Sequence, residues 1–250
     1  MYTQSIVRLP LKNAFNVREL GGYPNSNGKV TKHHYLLRAD DLFNLDENDI
    51  DLLLSYGVTA VVDLRSAFEL SSYPDPFSKI NQVNYINIPL LADDVVEPDI
   101  TKVMTENLER FLTDIYLGMI KDSTEAIRNV FEFIAKQEGC VLFHCAAGKD
   151  RTGIIAMLLL GLAEVSRPDI IANYILTEVY IKENTIMQQN AEQIPAELMQ
   201  SKPAYIEPVI DYILSTFENF ENYLIHIGLT KELLLTIKNK MILGSFQLRK

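Results

Sequence analysis

Val141-Leu142-Phe143-His144-Cys145-Ala146-Ala147-Gly148-Lys149-Asp150-Arg151-Thr152-Gly153 is the stretch on which the reading of this chain turns. Val141, Leu142 and Phe143 read as a buried strand. The apolar run at residues 154–163 behind them reads as a buried helix. A strand that passes into a helix through a short loop places Cys145 at the strand end, beside the helix N-terminus. Backbone N–H groups there lack intrahelical partners, and the helix dipole favours an anion. Gly148 lies within the loop, and Arg151 closes it after five intervening residues. The stretch predicts an anion cradle with a thiol at its base.

Outward from this stretch the chain alternates strands and helices. Asn16-Val17-Arg18-Glu19-Leu20-Gly21-Gly22-Tyr23-Pro24 opens with turn punctuation, and Asn27-Gly28 suits a hairpin. Residues 35–38 read as a short strand and 46–56 as a helix capped by Asp46 and ended by Gly57. The run at 59–64 reads as a strand covered on both faces, and 83–90 as another, stopped by Pro89. Residues 100–112 and 113–136 have helical spacing. Residues 168–184, 206–217, 220–226 and 231–243 read as further helices. The expected fold is α/β, a central, mostly parallel twisted sheet flanked by helices. No linker composition divides the 250 residues, so one domain over 1–250 is expected. Residues 167–203 are long for a connection and read as a helical insertion, either a lid over the site or extra packing.

Composition narrows the function. The net charge of −10 argues against nucleic acid, which needs a basic face. Positive potential for an anionic substrate must then be concentrated locally, at Lys149 and Arg151. Cys140 and Cys145, the two cysteines of the chain, make no disulfide framework, and a thiol nucleophile suits a reducing compartment. The first ten residues lack a signal-peptide pattern, and the run at 154–165 is shorter than the ~20 residues that span a bilayer. A cytoplasmic protein without a transmembrane segment is expected. Metal ligation is not expected: His33 and His34 are adjacent and diverge, and His226 is remote. A Walker-type nucleotide loop is excluded by spacing.

The residue types in the loop suit phosphate ester cleavage. Thiols beside a helix N-terminus and cations ionise readily, which qualifies Cys145 as the nucleophile. Arg151 offers a planar fork for two phosphate oxygens, which a lysine does not. The N–H groups of Ala146, Ala147, Gly148, Lys149, Asp150 and Arg151 supply further donors, and Gly148 permits the backbone angles of an anion nest. Thr152 is placed to donate to the thiolate or to help activate water. His144 braces the loop instead of acting as a base. Cys140 reads as an ordinary strand residue. Arg38 reads by itself as a surface ion pair, and Asp63 and Arg65 either line a site at a strand end or pair structurally.

The segment His144-Cys145-Ala146-Ala147-Gly148-Lys149-Asp150-Arg151-Thr152-Gly153 resembles the active-site loop of the cysteine-dependent protein tyrosine phosphatase superfamily. Its Gly-Lys-Asp-Arg core resembles the bacterial atypical tyrosine and lipid phosphatases, with their mycobacterial and Listeria members. Residues 16–23, Leu37-Arg38-Ala39-Asp40, Val62-Asp63-Leu64-Arg65-Ser66 and 223–243 also match that pattern. The resemblance implies a dual-specificity-phosphatase-like fold, a phosphocysteine on Cys145, phosphate held by Arg151, and no cofactor. Its implied substrates are phosphotyrosine, phosphoserine or phosphothreonine in proteins, and phosphoinositides, with Lys149 linked to inositol phosphates. Relatives can carry a bulky residue where Ala146 stands. Arg38, Asp63 and Arg65 are implied as supporting residues, and a monomer is favoured.

The general acid is open at this point. The usual Trp-Pro-Asp loop is absent because the chain has no Trp. Asp150 matches the acid of the atypical group and is preferred. Asp93 or Asp94, after the strand stopped by Pro89, is the alternative. Two rival functions use similar loops: a non-catalytic phospho-ligand module, against which intact Cys145 and Arg151 argue, and rhodanese-type sulfur transfer, which fits residues 149–153 less well.

Overall fold

A computed structural model describes residues 7–91, 108–182 and 199–243. Five strands form one sheet: β1 (Arg18–Glu19), β2 (Leu36–Ala39), β3 (Val58–Asp63), β4 (Asn84–Asn87) and β5 (Cys140–His144). Their order across the sheet is β1-β2-β5-β3-β4. β1 pairs antiparallel with β2, and every other pairing is parallel. The fold is the expected mostly parallel α/β sheet.

The central strand β5 is buried along its whole length. Its side chains alternate between two cores. Val141 and Phe143 enter one, whereas Cys140 and Leu142 enter the other. β3 divides in the same way, with Ala60 and Val62 on one face and Val58 and Val61 on the other. A strand covered on both faces shows a continuous apolar run in place of alternation.

The helices among the described residues are α1 (Glu47–Tyr56), α2 (Ala67–Ser72), α3 (Leu108–Asp122), α4 (Thr124–Lys136), α5 (Asp150–Leu162), α6 (Arg167–Ile181), α7 (Pro203–Phe217), α8 (Phe220–His226) and α9 (Lys231–Met241), and a 3₁₀ turn spans Pro76–Lys79. α1 is capped by Asp46, as read from sequence. α5 is buried on all sides from Arg151 to Leu160, which marks a helix inside the core. None of these helices is long and apolar enough to cross a membrane.

Three expectations change. The break between the middle helices falls at Ser123, not between 112 and 113. The stripe Leu112, Tyr116, Met119 and Ile120 runs through the expected break at helical spacing, so the chain stays helical there. β1, α2 and the 3₁₀ turn were not foreseen, because each is too short to show a period. The first half of the 167–203 insertion is α6, which buries Asn173, Tyr174 and Thr177 and forms a wall of the interior. Residues 183–198 of that insertion lie outside the described residues.

Candidate active site

The parallel strands bring their carboxyl ends to one edge. Ala39 and Asp63 both stand in register with His144, and Asp63 with Asn87. Three loops therefore converge on Cys145, which is buried directly after β5. They are the loop after β2 with Asp40 and Asp41, the loop after β3 with Arg65 and Ser66, and residues 145–149 themselves.

The geometry of the 145–149 loop is fixed from outside. The Asp41 N–H donates to the Ala146 carbonyl at 2.8 Å. Asn16 Nδ2 donates to the carbonyls of Ala147 at 3.1 Å and Gly148 at 3.2 Å. Arg38 Nη2 donates to the same Gly148 carbonyl at 2.6 Å. Three successive carbonyls are thus tied to the scaffold. The N–H groups of Ala146, Ala147 and Gly148 donate no hydrogen bond among the described residues. Gly148 has φ of 64°, and a Cβ there would lie 2.5 Å from the Ala39 carbonyl oxygen. That position requires glycine on both backbone and steric grounds.

Asn16 is itself held twice. The Asp40 carboxylate accepts from its N–H at 2.9 Å. Arg18 Nη1 donates to its side-chain oxygen and, at 3.3 Å, to its backbone carbonyl. Arg18 and Arg38 face each other across the β1–β2 pair, and both are fully buried. α6 receives them: Arg18 Nη2 donates to the Asn173 carbonyl at 2.7 Å and Thr177 Oγ1 at 2.9 Å, and Arg38 Nη1 to Asn173 Oδ1 at 2.5 Å. Arg38 is therefore a buried strut under the loop and not a surface ion pair. Burial lowers it to about 10, which leaves it charged at neutral pH. Burial also pushes the Asp40 carboxyl up to about 6, against the hydrogen bonds from Phe15 and Asn16.

Asp63 and Arg65 pair structurally. Arg65 Nε and Nη2 reach Asp63 Oδ1 and Oδ2 at 3.0 and 2.6 Å, and its Nη1 reaches Asp41 Oδ2 at 2.5 Å and the Tyr73 carbonyl at 2.9 Å. His144 lies against the same acids, with Nε2 3.0 Å from Asp75 Oδ2 and 3.6 Å from Asp63 Oδ2, and its Nδ1 3.2 Å from the Cys145 carbonyl. Burial pulls the imidazole down, but Asp63 and Asp75 overcome this and raise it to about 9. The same neighbourhood holds Asp63 at about 2: burial opposes ionisation, and His144 and Arg65 outweigh it. His144 thus packs against Asp63 and Asp75 beneath the loop, where its charged form is favoured. The donor set Asp63, Asp75 and His144 is close enough to hold a cation. Arg65 Nη2, 2.6 Å from Asp63 and 3.8 Å from Asp75, already supplies positive charge there.

Arg151 has a partner that sequence reading missed. Its Nη1 and Nη2 donate to Glu69 Oε2 and Oε1 at 2.5 and 2.8 Å. Burial opposes both charges, but the pairing holds Glu69 below and Arg151 above their ordinary values. Glu69 also closes a capping box on α2, with Ser66 as the cap. The spacing Ser66-x-x-Glu69 was the available signal. Lys149 is buried, with Nζ 3.3 Å from Asp150 Oδ1 and 6.0 Å from the centre of the Tyr205 ring. Asp150 accepts a hydrogen bond from the Tyr116 hydroxyl. Thr152 Oγ1 is buried with no hydrogen-bond partner among the described residues, so the expected donation to Cys145 is not made. Cys140 is buried at the far end of β5, and burial pushes its thiol well above the ordinary value. Asp93 and Asp94 lie outside the described residues.

The sequence pattern of the tyrosine phosphatase family matches residues 9–243. The chain belongs to that family. It is 39% identical over 147 residues to a tyrosine-protein phosphatase of Nostoc commune, a match covering 58% of this chain and 49% of the relative. The match therefore spans about half the length of that relative. A putative tyrosine-protein phosphatase of Cupriavidus necator is 27% identical over 223 residues, 84% of this chain and 80% of the relative. The triple specificity protein phosphatase PtpB of Mycobacterium tuberculosis is 27% identical over 190 residues, covering 66% of this chain and 67% of that protein.

Proposed function

We propose that this chain is a cysteine-dependent phosphatase that hydrolyses phosphate monoesters, phosphotyrosine first among them. The observation that carries the reading is the loop itself: a buried Cys145, followed by three backbone N–H groups that donate no hydrogen bond among the described residues, close to the Arg151 fork. Those donors match the three equatorial oxygens of a phosphoryl group in transfer.

In the first step Cys145 Sγ bonds to phosphorus while the ester P–O bond breaks. The leaving oxygen takes the proton of Asp150. In the second step water attacks phosphorus, the S–P bond breaks, and the water's proton passes to Asp150. Inorganic phosphate leaves with the thiolate restored. Asp150 serves both steps because it begins α5 at the loop's rim, where its side chain is about one third exposed (34%). Thr152 Oγ1, buried with no hydrogen-bond partner among the described residues, is available to the second step.

The triple specificity in the name of the mycobacterial relative supports a range wider than phosphotyrosine, and the resemblance of the loop, Lys149 included, extends the proposal to phosphoserine or phosphothreonine and to phosphoinositides. We further propose that residues 1–250 form one domain, that the chain acts in the cytoplasm and that it is monomeric. Release of phosphate from a generic aryl phosphate by the wild-type chain, abolished in Cys145→Ser, is the test. Absence of release would overturn the reading, and thiocyanate formation from thiosulfate would replace it with sulfur transfer. Comparing kcat/KM for a phosphotyrosine peptide and soluble phosphoinositides then ranks the substrates.

A further inference from the structure

We infer that Tyr116, backed by Tyr174, is a positioning residue that fixes the Asp150 carboxyl for proton transfer to the leaving group. The inference rests on the reading of Asp150 as the general acid.

Tyr116 lies on α3 and Tyr174 on α6, both buried under the start of α5. The Tyr116 hydroxyl donates to Asp150 Oδ1, and the two tyrosine hydroxyls are 2.7 Å apart. Their rings meet edge to face at 6.1 Å. A phenol has one hydrogen to give. A carboxylate has none, so Tyr116 must donate to Asp150 and Tyr174 must in turn donate to Tyr116. Burial, with Asp150 close by, pushes both phenols well above their ordinary values, so neither gives up its proton.

The direction of this chain of hydrogen bonds survives the catalytic cycle. Lys149 Nζ also approaches Oδ1, at 3.3 Å. With both donors on Oδ1, the transferable proton belongs on Oδ2. Oδ1 is still an acceptor when Asp150 is protonated on Oδ2, though a weaker one than in the carboxylate, so Tyr116 and Tyr174 keep their orientation through both steps. They therefore hold the carboxyl and do not relay a proton. Two further elements are recruited to aim one side chain, and hydrogen bonds in such a chain strengthen one another.

The test is the dependence of kcat/KM on leaving-group pKa across a series of aryl phosphates. This quantity reports the first step, whatever limits turnover. An activated nitrophenolate needs no proton to leave, whereas an unsubstituted phenolate does. Tyr116→Phe should cost about tenfold or more on phenyl phosphate and less than about threefold on the most activated ester. Tyr174→Phe should show the same pattern with a smaller loss. Inhibition by inorganic phosphate should be unchanged in both, which reports an intact loop. Equal losses on all esters, or no loss on any, would overturn the inference. Should Tyr116→Phe fail to fold, Tyr174→Phe alone decides by the same criterion. Asp150→Asn run in parallel separates the two levels. If it steepens the dependence and the tyrosine variants do not, the positioning role falls alone. If it leaves the dependence as in wild type, the acid lies elsewhere and both readings fall.

Discussion

Removing Glu69 tests how Arg151 is held. A guanidinium carries five N–H donors. Glu69 takes one from each Nη, end-on, at 2.5 and 2.8 Å. Nε–H and the other Nη hydrogens remain for two phosphate oxygens. On this geometry Glu69 aims the fork and does not block it. Losing one partner of a buried ion pair costs roughly 3–5 kcal/mol. Here the side chains are 10% and 14% exposed, so water reaches the pair in part. About 2–3 kcal/mol is the better expectation for Glu69→Ala. For a chain of this size that lowers Tm by roughly 4–12 °C.

Arg151 regains an anionic partner when phosphate binds. A fixed concentration of inorganic phosphate should nevertheless raise Tm less in Glu69→Ala than in wild type, because an unaimed fork binds it more weakly. With the fork no longer aimed, kcat/KM on an aryl phosphate should fall about ten- to a hundredfold. Glu69→Gln, which keeps an acceptor and loses the charge, should lie between. Differential scanning fluorimetry with and without phosphate, beside steady-state kinetics, makes the comparison. A rise in kcat/KM in Glu69→Ala would refute the reasoning, because Glu69 would then be a competitor for Arg151. An unchanged Tm would show that the pair contributes nothing.

Two further outcomes follow from the scaffold. His144 is raised to about 9 in the folded chain. Its contribution to stability is full below the unfolded value of about 6.5 and is lost as pH rises through 9, a fall of up to about 3 kcal/mol. Asp40, raised to about 6, weakens the fold as it ionises at lower pH, so it leaves that window clear. Urea denaturation of wild type and His144→Gln between pH 6.5 and 9 checks this, and an equal slope in both would refute it. Gly148→Ala should abolish most activity, about a hundredfold or more, because its Cβ meets the Ala39 carbonyl at 2.5 Å and displaces the loop. Gly28→Ala, also at positive φ but with nothing within 4 Å, should cost only the backbone strain of about 1–2 kcal/mol and no activity. Equal activity in the two variants would show that the loop tolerates the shift.

The sheet and the loop were legible because their signals are local. A strand covered on both faces shows a continuous apolar run, as at 60–62 and 140–143, and a buried helix follows the loop it anchors. Cys145, Gly148 and Arg151 stand within a few residues of one another, so spacing alone exposes them. The partners that aim them are remote in sequence. Asn16 reaches Gly148 across 132 residues and Glu69 reaches Arg151 across 82. No local pattern reports such a contact. Arg38 shows the limit most clearly: Asp40 and Asp41 follow it in the next loop, which suggests a surface, yet the sheet buries it among Gly148, Asn173 and Thr177. Asp75 and Tyr116 gave no sign at all.

These remote contacts explain how a chain of net charge −10 can concentrate positive potential at the 145–151 loop. Most cations near the loop already face a carboxylate: Arg151 faces Glu69, Lys149 faces Asp150, and Arg65 and His144 face Asp41, Asp63 and Asp75. Arg38 differs. Its hydrogen bonds go to a carbonyl, an amide and a hydroxyl, all of them neutral. Its charge stays active because burial lowers it only to about 10. The Gly148 carbonyl oxygen accepts a hydrogen bond from that charged group, so the N–H of the same trans peptide, on Lys149, points the opposite way. The positive potential is thus built beneath the loop, where the acidic surface and solvent ions screen it least.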